Sequence, residues 1–162
     1  VYCSHGHFDH NHTQNVTLAE GGEDPFAVTE VPSFHDGQGG ALRGPNTIRR
    51  FAAEGLSVVH LGDLGCQLTA EQVRALRPCD ALLVPVGGFY TIDAQGAKAV
   101  AEALSPRVIV PMHYRTEAFG LREIDTVEPF LALFSKELVR HYDANRLELT
   151  ADTPAQVAVL SV

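Results

Sequence analysis

The chain has 162 residues, 45% of them hydrophobic and 20% charged, which is ordinary globular composition and enough for a single domain spanning 1–162 with its own core. Its 12 Lys and Arg against 20 Asp and Glu give a formal net charge of -8, so the field around it repels phosphate backbones and no nucleic-acid partner is expected. No apolar run approaches the ~18 residues of a membrane-spanning helix, and three Cys without a C-x-x-C pair make neither a disulfide framework nor a thiolate zinc knuckle; the expected setting is the reducing cytoplasm, with no membrane attachment.

In chain order, residues 1–4 read as a buried strand that runs straight into a histidine cluster. A terminal strand needs neighbours, so further chain ahead of Val1 is expected. Ser4-His5-Gly6-His7-Phe8-Asp9-His10 follows and carries three imidazoles and one carboxylate between His5 and His10. Apolar, β-rich runs then recur at Ala27–Phe34, 56–61, 81–86 and Val108–Met112. Residues 37–44 are the Gly-dense stretch and read as a flexible loop after His35. Thr69 with Gln72 three residues on is a capping-box signal, Asp93 precedes a helix over Ala94–Leu104, and Asp125 with Glu128 precedes a helix over 130–138. Residues 146–149 and 156–162 read as a closing hairpin with Thr153 and Pro154 in its turn, with 138–142 a further strand candidate. Strands alternating with helices predict α/β layering, a sheet covered by helices on at least one face.

The chemistry concentrates around His5. In an extended segment side chains alternate, so His5 and His7 face the same way and reach one ion. Asp9 and His10, past a turn, reach a second. Nitrogen and carboxylate donors without thiolates suit zinc, with manganese or iron as alternatives. A catalytic zinc takes about three protein ligands and keeps a position open, so two such ions need ligands from distant chain. The sequence offers them where strands end: His35 after Ala27–Phe34, Asp63 in His60-Leu61-Gly62-Asp63, and His113 after Val108–Met112.

This pattern resembles the metallo-β-lactamase superfamily, whose members share H-x-H-x-D-H, then a lone His, a lone Asp and a final His in that order. The counterparts here are His5, His7, Asp9 and His10, then His35, Asp63 and His113. The resemblance implies an αββα sandwich, here lacking its usual N-terminal strands. It also implies that His5, His7 and His35 bind one ion, that Asp9, His10 and His113 bind the other, and that Asp63 bridges them. The setting of His35 (Ser33-Phe34-His35-Asp36-Gly37) and of Asp63 is similar to the branch of zinc-dependent hydrolases that includes ascorbate-phosphate lactonase and phospholipase D-like members.

On that reading two divalent ions share a hydroxide that cleaves an ester, lactone or phosphoester of a small anionic substrate, with Asp9 orienting the hydroxide. Arg43, Tyr90, Tyr114 and Arg115 are the candidate substrate contacts, since Arg holds anions and these residues flank the ligands. The alternatives are a nuclease of the same superfamily, which the charge opposes, and a non-enzymatic metal-binding domain; a homo-oligomer is compatible with all three. His60 reads as a hydrogen-bonded core residue, Cys66 as a small buried thiol, His12 as a helix-surface residue near the site, and His141 as without a role. Asp36 either orients the His35 ring or begins the turn after it.

Overall fold

The computed structural model describes residues 1–18 and 21–161. Its frame is a seven-stranded sheet in the order β1-β2-β3-β4-β5-β7-β6. Ala27–Phe34 (β1), Pro45–Ala53 (β2) and Leu56–His60 (β3) form an antiparallel meander. Ala81–Pro85 (β4), Val108–Met112 (β5), Gln156–Leu160 (β7) and Val139–Tyr142 (β6) continue it in parallel. Because β1 and β3 both oppose β2, and β5 runs with β3, the strands β1, β3 and β5 all end at the same edge.

Alternation decides which side chains face the helices. Ile48, Val59, Leu82, Val84, Ile109 and Val157 join one buried cluster with the helical residues Leu76, Ala97, Val100, Leu104 and Phe130. Those residues belong to Ala70–Leu76 (α1), Ala94–Leu104 (α2) and Glu128–Leu131 (α3). The predicted caps are in place: Thr69 and Gln72 form a complete capping box on α1, and Asp93 accepts the Gly96 amide at the start of α2. The opposite face carries a smaller cluster, Ala81, Val108 and Ala158, against which Val58, Val110, Leu147 and Leu149 pack. Among the described residues no helix is long and apolar enough to cross a membrane.

Three expectations are corrected, and one strand went unread. Residues 1–4 are not a strand; the segment is pinned to β2 by Thr47 N–H to the Ser4 carbonyl at 2.8 Å and Arg49 to the Cys3 carbonyl at 2.7 Å. β2 itself went unread, since its two arginines and Pro45 mask an alternation resting on Asn46 and Ile48. The helix expected over 130–138 is one short turn; after Leu131 the chain proceeds by i to i−3 bonds, Leu133 to Phe130 and Phe134 to Leu131, which still pack the two Phe rings 5.0 Å apart. Residues 146–149 and 156–162 do not pair as a hairpin: β7 lies between β5 and β6, parallel to both, and 138–142 supplies β6. Val162 lies outside the described residues.

Candidate metal centre

The shared edge of β1, β3 and β5 assembles the site. His35, Asp63 and His113 leave the ends of these three strands, and the histidine-rich segment lies against them through its bonds to β2. Asp63 is the hub. Its Oδ2 stands 3.1 Å from His35 Nε2, 3.2 Å from His113 Nε2, 3.7 Å from His10 Nε2 and 3.9 Å from His5 Nε2. His5, His7 and His35 each present one ring nitrogen within 4.8 Å of the others, and a ring nitrogen each of His5 and His10 lies equally close to a carboxylate oxygen of Asp63. Asp9 Oδ2 is 3.7 Å from His10 Nε2, on the exposed side. All seven sequence-predicted ligands therefore meet at one place.

The rings are oriented by partners outside the cluster. His35 Nδ1 donates to the Tyr90 carbonyl at 3.1 Å, since a carbonyl only accepts, and with that nitrogen so held Nε2 is the atom turned inward, 3.1 Å from Asp63 Oδ2. His5 Nδ1 shares a hydrogen bond with Ser4 Oγ at 2.9 Å, while its Nε2 is fully buried and has no hydrogen-bond partner among the described residues. A buried nitrogen left unpaired costs about 1–3 kcal/mol, a penalty that a cation on that lone pair removes. Burial pushes the His5 imidazole down to about 4 against the pull of Asp63, which keeps it neutral and able to ligate at pH 7. Burial would raise Asp63, but His113 and His35 outweigh it and hold the carboxylate well below its usual range. Five imidazoles and two carboxylates form an oxygen-and-nitrogen donor set suited to zinc-like cations.

Glycines hold the backbone close behind His35 and His113. A Cβ on Gly65 would lie 2.3 Å from the His35 carbonyl carbon and the Asp36 nitrogen, and one on Gly87 would lie 2.3 Å from the His113 carbonyl oxygen. Sequence reading missed both, along with Asn46, whose strand was not recognised.

A cleft of about 360 Å³ opens beside the cluster, lined by His7, Asp9, His10, Arg43, Tyr90 and Leu121 among others. Arg43 and Tyr90 thus sit where substrate contacts were expected. Tyr114 and Arg115 do not line it: Tyr114 packs against the core, and Arg115 donates from Nε to the Ile124 carbonyl at 2.9 Å. His60 accepts the Gly62 amide at Nδ1, 3.0 Å away, and Cys66 packs against the core. His12 is exposed and its Nε2 lies 2.9 Å from Gln14 Nε2, and His141 lies exposed on β6. Asp36 begins the turn: its carboxylate takes the amides of Gln38, Gly40, Leu42 and Arg43.

A family model, the β-lactamase superfamily domain, matches residues 1–113. The chain belongs to the β-lactamase superfamily. An Archaeoglobus fulgidus relative named a UPF0173 metal-dependent hydrolase is 35% identical over 106 residues, which are 62% of this chain and 45% of that relative. A solved Thermotoga maritima structure, described as a candidate Zn-dependent hydrolase of the metallo-β-lactamase superfamily, is 42% identical with a TM-score of 0.65, covering 72% of this chain and 60% of the other. The Bacillus subtilis metallo-β-lactamase fold protein YhfI, 12% identical, shares the fold with a TM-score of 0.52 over 85% of this chain and 47% of its own. The chain matches less than half the length of the A. fulgidus protein and of two further UPF0173 metal-dependent hydrolases, at 45%, 34% and 42%.

Proposed function

We propose that this chain carries most of the active site of a metal-dependent hydrolase that cleaves an ester, lactone or phosphoester bond of a small anionic molecule. His5, His7 and His35 hold one divalent cation, Asp9, His10 and His113 a second, and Asp63 lies between them. Zinc is the favoured metal, with manganese or iron as alternatives. The observation that carries this reading is the Asp63 carboxylate surrounded by Nε2 atoms of four histidines drawn from three separate stretches of chain. The names of the relatives support it.

When bound, such cations supply Lewis acidity, lowering the pKa of water and polarising the oxygen of the scissile group. The residues do the rest. The Tyr90 carbonyl and Ser4 hydroxyl keep His35 and His5 in the orientation that aims Nε2 inward. Asp9, exposed at the cleft beside His10, is placed to orient a water by accepting one of its protons. Leu121 and Phe8 supply apolar walls to the cleft. No side-chain nucleophile is needed. The three free thiols fit a reducing compartment, the cytoplasm.

The test joins elemental analysis to initial rates on an aryl ester, a lactone and a phosphodiester. About two equivalents of metal with metal-dependent turnover is the expected result; no bound metal under replete conditions sinks the reading.

A further inference from the structure

Residues 36–44 form a loop fastened from within by one carboxylate. Asp36, only 2% exposed, accepts amide protons from Gln38 at 2.7 Å, Arg43 at 2.8 Å, Gly40 at 2.9 Å and Leu42 at 3.0 Å. The His35 amide to the Gly44 carbonyl, 3.1 Å, and the Gly44 amide to the Gly40 carbonyl, 3.0 Å, close it. Gly40 takes φ +85, and a Cβ there would meet the Phe34 ring at 2.9 Å. A loop so tied has one backbone path, so Arg43 leaves it at a fixed point.

The Arg43 guanidinium lies 5.3 Å from the centroid of the Tyr90 ring. The same Tyr90 takes the His35 Nδ1 proton on its carbonyl. One residue thus locates both a metal-ligand ring and a cation. Arg49, Arg107 and Arg115 spend their donors on carboxylates or carbonyls. Arg43 has no ion pair or side-chain hydrogen bond among the described residues, and no other Lys or Arg lines the cleft. In a chain of net charge -8, a planar cation with free donors, lining the cleft beside the histidine cluster and set against the Tyr90 ring, is matched to an anion.

Resting on the hydrolase reading, we propose that Arg43 is a specificity-determining residue that binds a carboxylate or phosphate group of the substrate, separate from the bond cleaved at the histidine cluster. Tyr90 stacks beneath the guanidinium and Asp36 positions it through the loop.

The test has two readouts. Metal-free protein is titrated with phenyl phosphate, phenylacetate and neutral phenylacetamide, following amide NMR shifts in residues 36–44. The anions bind more tightly than the amide, and Arg43→Gln weakens them about 10- to 100-fold, the range of a charge-assisted hydrogen bond; the tighter anion identifies the group recognised. Arg43→Lys, which keeps charge without the planar fork, retains part of the binding. Metal-loaded protein is then assayed on matched aryl esters with and without a remote carboxylate. Arg43→Gln lowers the anionic-to-neutral ratio of kcat/KM by a similar factor, through KM. Equal anion affinity in the parent and Arg43→Gln, or no preference for anions over the amide, overturns the proposal. Absence of turnover on both esters and on the lactone and phosphodiester overturns the hydrolase reading instead, and the titration still decides the role of Arg43.

Discussion

Asn46 holds Asp63 in place: the Asp63 amide donates to Asn46 Oδ1 at 3.0 Å, while Asn46 Nδ2 donates to Ser33 Oγ and to the Leu61 carbonyl, each at 2.8 Å. One buried amide, 1% exposed, ties β1, β2 and the turn that delivers the central carboxylate. Asn46→Ala strands the Asp63 N–H and the Leu61 carbonyl in a dry interior. The expected loss is ~1–3 kcal/mol of stability and about 10- to 100-fold in metal affinity. Urea unfolding and competition with a chromophoric chelator read the two, and unchanged affinity would show that Asp63 is held by other means.

Asp63 is the group that the four imidazoles share, and His7 belongs to the trio with His5 and His35. Asp63→Ala and His7→Ala are each expected to abolish metal-dependent hydrolysis and lower metal content, with the far-ultraviolet circular dichroism of folded protein retained. A variant that turns over normally at stoichiometric metal refutes the assignment.

Gly65 is a packing requirement behind His35. A Cβ there would sit 2.3 Å from two backbone atoms and 2.5 Å from the His35 carbonyl oxygen. Backbone cannot rotate aside as a side chain can, so Gly65→Ala is expected at or above the upper end of the ~1–3 kcal/mol that overpacking costs, with metal affinity falling because His35 moves. Gly37→Ala, whose Cβ would meet nothing closer than 3.8 Å, is the matched control and should change thermal stability little. Equal melting temperatures for the two variants would remove the claim.

The site was legible in the sequence because its residues are chemically rare in combination and stand where strands end. His35, Asp63 and His113 each follow an apolar run, and parallel or doubly antiparallel strands bring such ends together. What supports them was not legible. Asn46 and Gly65 act through backbone contacts that no residue type announces, and β2 hides behind Arg49 and Arg50, which bond outward to Glu30, Cys3 and Pro78. The reading of residues 1–4 as a strand took β-forming side chains for strand pairing, whereas Val1 and Tyr2 are 67% and 45% exposed. The failed hairpin has a similar cause: a period of two marks a strand but not its neighbour, and Leu147 and Leu149 cover the second cluster without pairing to β7. Tyr114 and Arg115 were placed by adjacency to His113, but that residue takes a left-handed φ of 54, and the side chains after it reach the core and the Ile124 carbonyl, not the cleft.

Far from the site, Asp80 joins β3, β4 and β5 by accepting the Ser57 amide at 2.8 Å, the Ser57 hydroxyl at 3.0 Å and Arg107 Nη2 at 3.1 Å. Burial alone would raise its pKa, but these donors outweigh it and hold the carboxyl below its ordinary value. A carboxyl depressed in the folded state binds its proton more readily when unfolded, so its contribution is fully present above the unfolded pKa of ~3.9 and is lost as pH falls through the folded one. Asp80→Asn keeps the shape and removes the charge. The parent should therefore exceed the variant by about 1 kcal/mol near neutral pH, with the gap closing below pH ~4. Urea midpoints measured from pH 7 to pH 2.5 check this; a gap that stays constant, or widens toward acid, contradicts the ion pair as its source.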